Sequence, residues 1–98
     1  MIRNVIWTPE ATETFNDNLD YLEKEWSLEV CDQFTERVYT VILKISQNPK
    51  LYACVDKKTN LFRSVVTKQI SLFYRVRENR IYLISFWNNY QDPERMPI

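Results

Sequence analysis

Lys57 and Lys58 stand side by side in a polar, turn-rich stretch, and Arg63, Lys68, Arg75 and Arg77 follow within twenty residues. Residues 50–98 hold nine bases against four acids, whereas residues 1–49 hold four bases against nine acids, so a net charge of zero conceals halves of +5 and −5. A chain divided in this way can turn one basic surface towards an anionic partner while its other side stays acidic. Two absences limit the chemistry available. There is no histidine, which removes the usual acid and base at neutral pH and the commonest zinc ligand. There is no glycine, so no glycine-rich phosphate cradle or dinucleotide loop can form. NTPase, Rossmann oxidoreductase and His-dependent hydrolase chemistries are thereby disfavoured, and neither a metal nor a nucleotide cofactor is expected. Any chemistry must use Lys, Arg, Tyr or carboxylates.

The elements that must position these side chains follow from periodicity. At 98 residues the chain is a single domain. No apolar run approaches the roughly 18 residues of a membrane span. The opening MIRNVIWTPE lacks an export signal, so a cytoplasmic protein is expected. Cys31 and Cys54 lack metal or redox spacing and are expected as reduced thiols.

Val5, Ile6 and Trp7 predict a short first strand, with Thr8 capping a helix that starts at Pro9. Ala11, Phe15, Leu19, Leu22 and Trp26 form one helical stripe, read as core, opposite Glu13, Asp17, Asp20 and Glu23. Ser27 caps a second helix whose stripe is Val30, Phe34, Val38, Val41 and Ile45, ended by Asn48-Pro49. Residues 50–60 form the one substantial loop, anchored by Tyr52 and Val55. Lys57 and Lys58 on it draw notice because function concentrates on scaffolded loops. Leu61–Thr67, Ile70–Arg77 and Arg80–Trp87 then read as three antiparallel strands. Ile70, Leu72, Tyr74 and Val76 point one way; Ser71, Phe73, Arg75 and Arg77 point the other. Glu78-Asn79 makes the hairpin turn, Asn being the residue that tolerates a positive φ, and residues 88–98 are an extended tail. The order β-α-α-β-β-β makes an α+β domain, a helical hairpin packed on one face of a small antiparallel sheet. The opposite face is a basic groove with Arg63 and Arg75 beside Phe73.

In its motifs the chain resembles the RelE/ParE superfamily of bacterial type II toxin–antitoxin toxins. The opening VIWTPEATETF, then LDYLEKEW, Ile45–Pro49 and FRSVVTKQISLFYRVRENRIYLISFW carry the resemblance across nearly the whole chain. It implies a growth-inhibiting toxin neutralised by a cognate antitoxin, and two branches are open. In the RelE-like branch the toxin is a metal-independent, ribosome-dependent mRNA endoribonuclease. Lys57, Lys58, Arg63, Arg75 and Tyr90 would then supply the base, the phosphate cations and the acid that such chemistry requires. In the ParE-like branch it is a non-nuclease that poisons DNA gyrase, with Lys57, Lys58, Arg63, Lys68, Arg75 and Arg77 as the target-binding set. Asn88-Asn89 stands where ribonucleolytic members carry Arg or His, and the neutral total charge is unlike that of a strong phosphate binder. These departures favour the ParE-like branch. A non-toxic binding module is the third reading.

Overall fold

Thr8 starts the helical half of the fold and fastens it to the sheet. Its Oγ1 accepts from Ala11 N at 3.1 Å, satisfying an amide that the first helical turn leaves free, and donates to the Leu83 carbonyl at 2.6 Å. In a computed structural model describing residues 4–89, the elements are β1 (Asn4–Trp7), α1 (Pro9–Glu25), α2 (Leu28–Gln47), β2 (Ala53–Asp56), β3 (Leu61–Val65), β4 (Ile70–Arg77) and β5 (Arg80–Asn88). Ser27 caps α2 as its position predicts, accepting from Val30 N at 3.2 Å. The hairpin link is thus only Trp26 and Ser27, which forces the two helices antiparallel.

The α2 stripe packs as expected: Phe34, Val38, Val41 and Ile45 are buried. So do Ala11 and Leu22 of α1, with Phe15 and Leu19 partly buried against the same core. Trp26 departs from its stripe and is 61 % exposed. It occupies the C-cap with φ −130° and ψ −98°, outside helical geometry, so the periodicity that aims Leu22 inward no longer governs it. Asn18, a polar residue within the apolar surface of α1, is buried instead.

The α+β architecture stands, with the hairpin on one face of the sheet. The sheet, however, is mixed and has five strands in the order β1-β5-β4-β3-β2. β1 pairs in parallel with β5, from Asn4 opposite Arg80 to Trp7 opposite Leu83. β2 lies within the stretch expected to be loop and forms an antiparallel edge against β3, with an irregularity between Cys54 and Asp56. Four residues carry too little alternation to announce a strand; hydrogen bonds to β3 supply what the sequence pattern does not. Tyr52 packs on the helix-side core and Val55 on the opposite side, so both act as anchors.

β5 is an internal strand, lying between β1 and β4. Phe73 pairs with Ser85 but Tyr74 with Leu83, so Ile84 is an inserted residue, a β-bulge. The insertion lets Leu83 and Phe86, three apart, both join the helix-side core while Ile84 and Trp87 join the outer cluster. α1 takes over the backbone groups of Phe86 beside the bulge. Its N–H donates to Thr14 Oγ1 at 2.9 Å, and its carbonyl accepts from Asn18 Nδ2 at 3.0 Å. In the β4–β5 hairpin the positive φ, 56°, falls on Glu78 and not on Asn79. β5 reaches Asn88, one residue into the expected tail; residues 90–98 of that tail lie outside the described residues. Both cysteines are free, Cys31 buried and Cys54 exposed. Burial first, then Glu23, Asp32 and Asp20, push the Cys31 thiol up from its ordinary value, which keeps it protonated and inert.

Candidate functional site

Strand alternation delivers the arginines of β3 and β4 to the sheet face away from the helices. Leu61, Phe73 and Trp87 form a small buried apolar floor there, with Val55 and Ile84 packed against it. Arg63 lies opposite Phe73 on the neighbouring strand. Its Nε donates to Ser71 Oγ at 3.1 Å, and its guanidinium carbon sits 5.7 Å from the Phe73 ring centroid. A cation over an aromatic face is attracted by the ring quadrupole, so Arg63 is held against the floor. It does not pair with a helix carboxylate.

Arg75 stands between Leu61 on β3 and Tyr82 on β5. Its Nε is buried and has no hydrogen-bond partner among the described residues. A buried donor left unpaired costs about 1–3 kcal/mol, more for a charged group. Arg77 is exposed at the end of β4, directly opposite Arg80 across the hairpin. Together Thr8, Arg75, Arg77, Tyr82 and Ile84 line an open concavity of about 340 Å³.

Lys57 and Lys58 are exposed on the β2–β3 turn. The Asp56 carboxylate accepts from Lys58 N and from Thr59 Oγ1, both at 3.0 Å, so the lysines ride on a closed turn. That turn lies at the Arg75–Arg77 end of the sheet, because Val76 N donates to the Asn60 carbonyl at 3.2 Å. Lys68 is elsewhere. It occupies the β3–β4 turn, at the far end of an eight-residue β4, roughly 24 Å away at strand rise. There it lines a different concavity, of about 410 Å³, against the helical hairpin, with Leu22, Trp26, Val30, Phe34 and Arg37. Of the expected set, then, Arg63, Arg75 and Arg77 share one face, Lys57 and Lys58 flank one end of it, and Lys68 stands apart. Tyr90 lies outside the described residues.

Tyr82, Ile84 and Thr8 are additions that the sequence reading passed over. For Tyr82 a signal existed: a two-residue turn at Glu78-Asn79 sets Arg77 against Arg80, which places Tyr82 beside Arg75. Thr8 had none, because it arrives through the parallel β1–β5 pairing. Among the described residues no three His, Cys, Asp or Glu side chains are grouped to hold a metal, and no helix is long and apolar enough to cross a membrane.

Residues 5–93 match the family described as ParE toxin of type II toxin-antitoxin system, parDE. The chain belongs to that family. The fold agrees with solved structures of such systems. One from the chromosomal ParDE TA system of P. aeruginosa superposes with a TM-score of 0.74, covering 89 % of this chain and 96 % of that one at 11 % identity. A YoeB/ParE toxin from Agrobacterium tumefaciens gives 0.65, covering 89 % and 99 % at 14 % identity. A YoeB from Staphylococcus aureus, solved as a dimer, gives 0.62, covering 92 % and 100 % at 17 % identity. Identities this low make these likenesses of fold alone. No curated protein matches significantly in sequence. As a ParE-family chain it is a toxin of a type II toxin–antitoxin system.

Proposed function

We propose that this toxin acts in the cytoplasm as a binding inhibitor, with DNA gyrase as its target and the outer sheet face as its working surface. The observation that carries this reading is the use of the residues that close β5. Asn88 is buried and its Nδ2 donates to Asn18 Oδ1 at 3.3 Å, while Asn89 Nδ2 donates to the Lys68 carbonyl at 3.2 Å. Both amides stitch the fold together where a ribonuclease of this type would place an acid or a phosphate-binding cation. Arg63 is likewise committed to Ser71 and Phe73. Purified toxin in excess is expected to block DNA supercoiling by gyrase; supercoiling at its full rate sinks the assignment.

The alternative, a RelE-like ribonuclease, draws support from Arg63 and Arg75 sharing one face with Lys57 and Lys58 at its rim. It predicts cuts in translated mRNA by primer extension, relieved by Arg63→Ala. Intact message during growth arrest rules it out.

The partner is a cognate antitoxin. YoeB–YefM from Staphylococcus aureus has been solved as a toxin–antitoxin complex, covering 92 % of this chain at a TM-score of 0.61. In this chain the hairpin concavity suits such a partner: Trp26, 61 % exposed, lines it with Leu22, Val30 and Phe34, and Arg37 and Lys68 line it too. An amphipathic segment with an acidic border would cover the apolar surface and meet both cations. Co-expression with the neighbouring antitoxin gene is expected to restore growth, and Trp26→Glu to weaken that rescue.

A further inference from the structure

We propose that the outward face of α2 is an interface for a second copy of this chain, which packs on it antiparallel about a two-fold axis beside Thr40. The core stripe of α2 leaves its opposite side to solvent, yet that side is not uniformly polar. Tyr39 and Leu43, one helical turn apart, are each more than half exposed there. Leu28, the first residue of the helix, and Leu51, just beyond its end, are more than half exposed as well. The Leu51 amide donates to the Asn48 carbonyl at 3.1 Å, so the chain turns back and keeps Leu51 at the helix end. Single exposed leucines need no explanation; apolar side chains strung along one helix and both its ends do.

Spacing and charge both select a second copy as the occupant. A surface that fits its own copy must pair residues at similar steps on either side of one point, and every contact is then made twice. Leu28 and Leu51 lie twelve and eleven positions either side of Thr40, Glu36 and Lys44 lie four either side, and Tyr39 and Leu43 straddle it closely. An antiparallel mate therefore brings Leu28 near Leu51, Tyr39 near Leu43 and Glu36 near Lys44. The exposed acids of α2, Glu29, Asp32 and Glu36, stand in its first half, whereas Lys44 and Lys50 stand at its end. Arg37 lines the hairpin concavity. An antiparallel copy lays each acidic half along a basic end and opposes the two helix dipoles, whereas a parallel copy sets like charge on like.

This interface avoids both surfaces described above. Val30, Gln33, Phe34 and Arg37 line the hairpin concavity from the other flank of α2; at 3.6 residues per turn Tyr39 lies about 140° round the helix from Phe34 and about 180° from Val30. The cationic sheet face is on the far side of the sheet from α2. A dimer of this kind thus presents two open concavities and two outer sheet faces at once. Its size is modest. A helix of 20 residues, about 30 Å long and about 12 Å wide, offers about 350 Å² per copy and about 700 Å² in total, the scale of a weak, reversible contact. Self-association is therefore concentration-dependent.

Sedimentation velocity on the whole purified toxin, from low-micromolar to near-millimolar concentration, is expected to show a monomer–dimer equilibrium. Leu43→Glu should weaken the dimer by at least about tenfold, because the new charge enters the interface twice. Tyr39→Lys repeats that test should Leu43→Glu disturb the helix. Glu36→Lys and Lys44→Glu, each alone, should weaken it about fivefold by setting like charges together at two symmetric places. Combined in one chain they should return the affinity to that of the parent, since the reversed pair matches again. Trp26→Glu, in the hairpin concavity, should leave the dimer unchanged. A parent that stays monomeric throughout overturns the interface. Loss of self-association from Trp26→Glu with none from Leu43→Glu or Tyr39→Lys overturns its location. Losses from Glu36→Lys and Lys44→Glu that accumulate in the double variant overturn the antiparallel arrangement.

Discussion

The two faces of the sheet are built from the same strands to different ends. On the helix side, Ile70, Leu72, Tyr74, Ile81, Leu83 and Phe86 are at most 1 % exposed, closed over by Phe34, Val38 and Ile45. Trp7, Phe15, Phe34 and Phe86 form one aromatic cluster there, with ring centroids 5.5–6.4 Å apart. On the outer side the buried apolar floor among the described residues is Leu61, Phe73 and Trp87, with Val55 and Ile84 partly buried against it, and arginines stand beside it. Apolar burial therefore concentrates stability on one face. That leaves the other free to hold charged groups such as Arg63, Arg75 and Arg77, and the core can offset the cost of the unpaired Arg75 Nε. A rigid core behind a cationic face is what a binding surface needs, because the side chains are positioned before any partner arrives.

The sharpest test of this division sets one residue of each face against the other. Phe34→Ala removes an almost fully buried ring and is expected to lower unfolding free energy by about 3–5 kcal/mol in urea denaturation. Arg77→Ala should stay within about 0.5 kcal/mol of the parent while weakening toxicity. Comparable destabilisation by both would erase the distinction between the faces. Asn18→Ala probes the seam between α1 and the sheet. It removes the side-chain donor to the Phe86 carbonyl and the Asn18 Oδ1 acceptor of Asn88 Nδ2, for about 1–3 kcal/mol.

Tyr74 tests the helix-side face by pH. Its hydroxyl donates to the Pro49 carbonyl at 2.8 Å, and Tyr74→Phe should cost about 1 kcal/mol at neutral pH. Burial first, then Tyr52 and Cys54, raise the phenol's pKa above its ordinary value. The folded state therefore keeps a proton that the unfolded chain releases above about pH 10. This contribution is fully present below that pH and declines as pH rises past it. The urea midpoint of the parent should fall more steeply between pH 10 and 11 than that of Tyr74→Phe, to about the extent of the tyrosine's share. Equal slopes would mean that the phenol is not shielded. The smallest effect belongs to neither face. Glu78→Gly relieves a left-handed backbone at φ 56° and should stabilise by about 0.5 kcal/mol, after the greater unfolded-state freedom of glycine is set against the relief.

Much of this was open to reading in the chain. Both caps, Thr8 and Ser27, the α2 stripe and the two-way alternation of β4 follow from interactions among residues a few positions apart, and local chemistry is enough to infer them. The arginines of the outer face were legible for the same reason, since alternation alone separates Phe73, Arg75 and Arg77 from Leu72, Tyr74 and Val76. Trp26 was misplaced because a helical stripe says nothing of where the helix stops. β2 was missed because a short edge strand owes its existence to its neighbour. Lys68 was grouped with the other cations because charge can be counted in a sequence but its distance across a sheet cannot.

By itself, then, the sequence determined both helices and the strands other than β2, the inward faces of α2 and β4, the partition of charge between the halves and the membership of the family. Only the tertiary structure decided that β1 joins β5 in parallel, that a bulge at Ile84 keeps both Leu83 and Phe86 inward, and that Thr8 and Tyr82 close a concavity around Arg75 and Arg77. The parallel pairing and the place of Thr8 depend on groups about 75 residues apart, Thr8 and Leu83 among them, whose meeting is set by the packing of the whole chain and leaves no periodic trace in any segment of it.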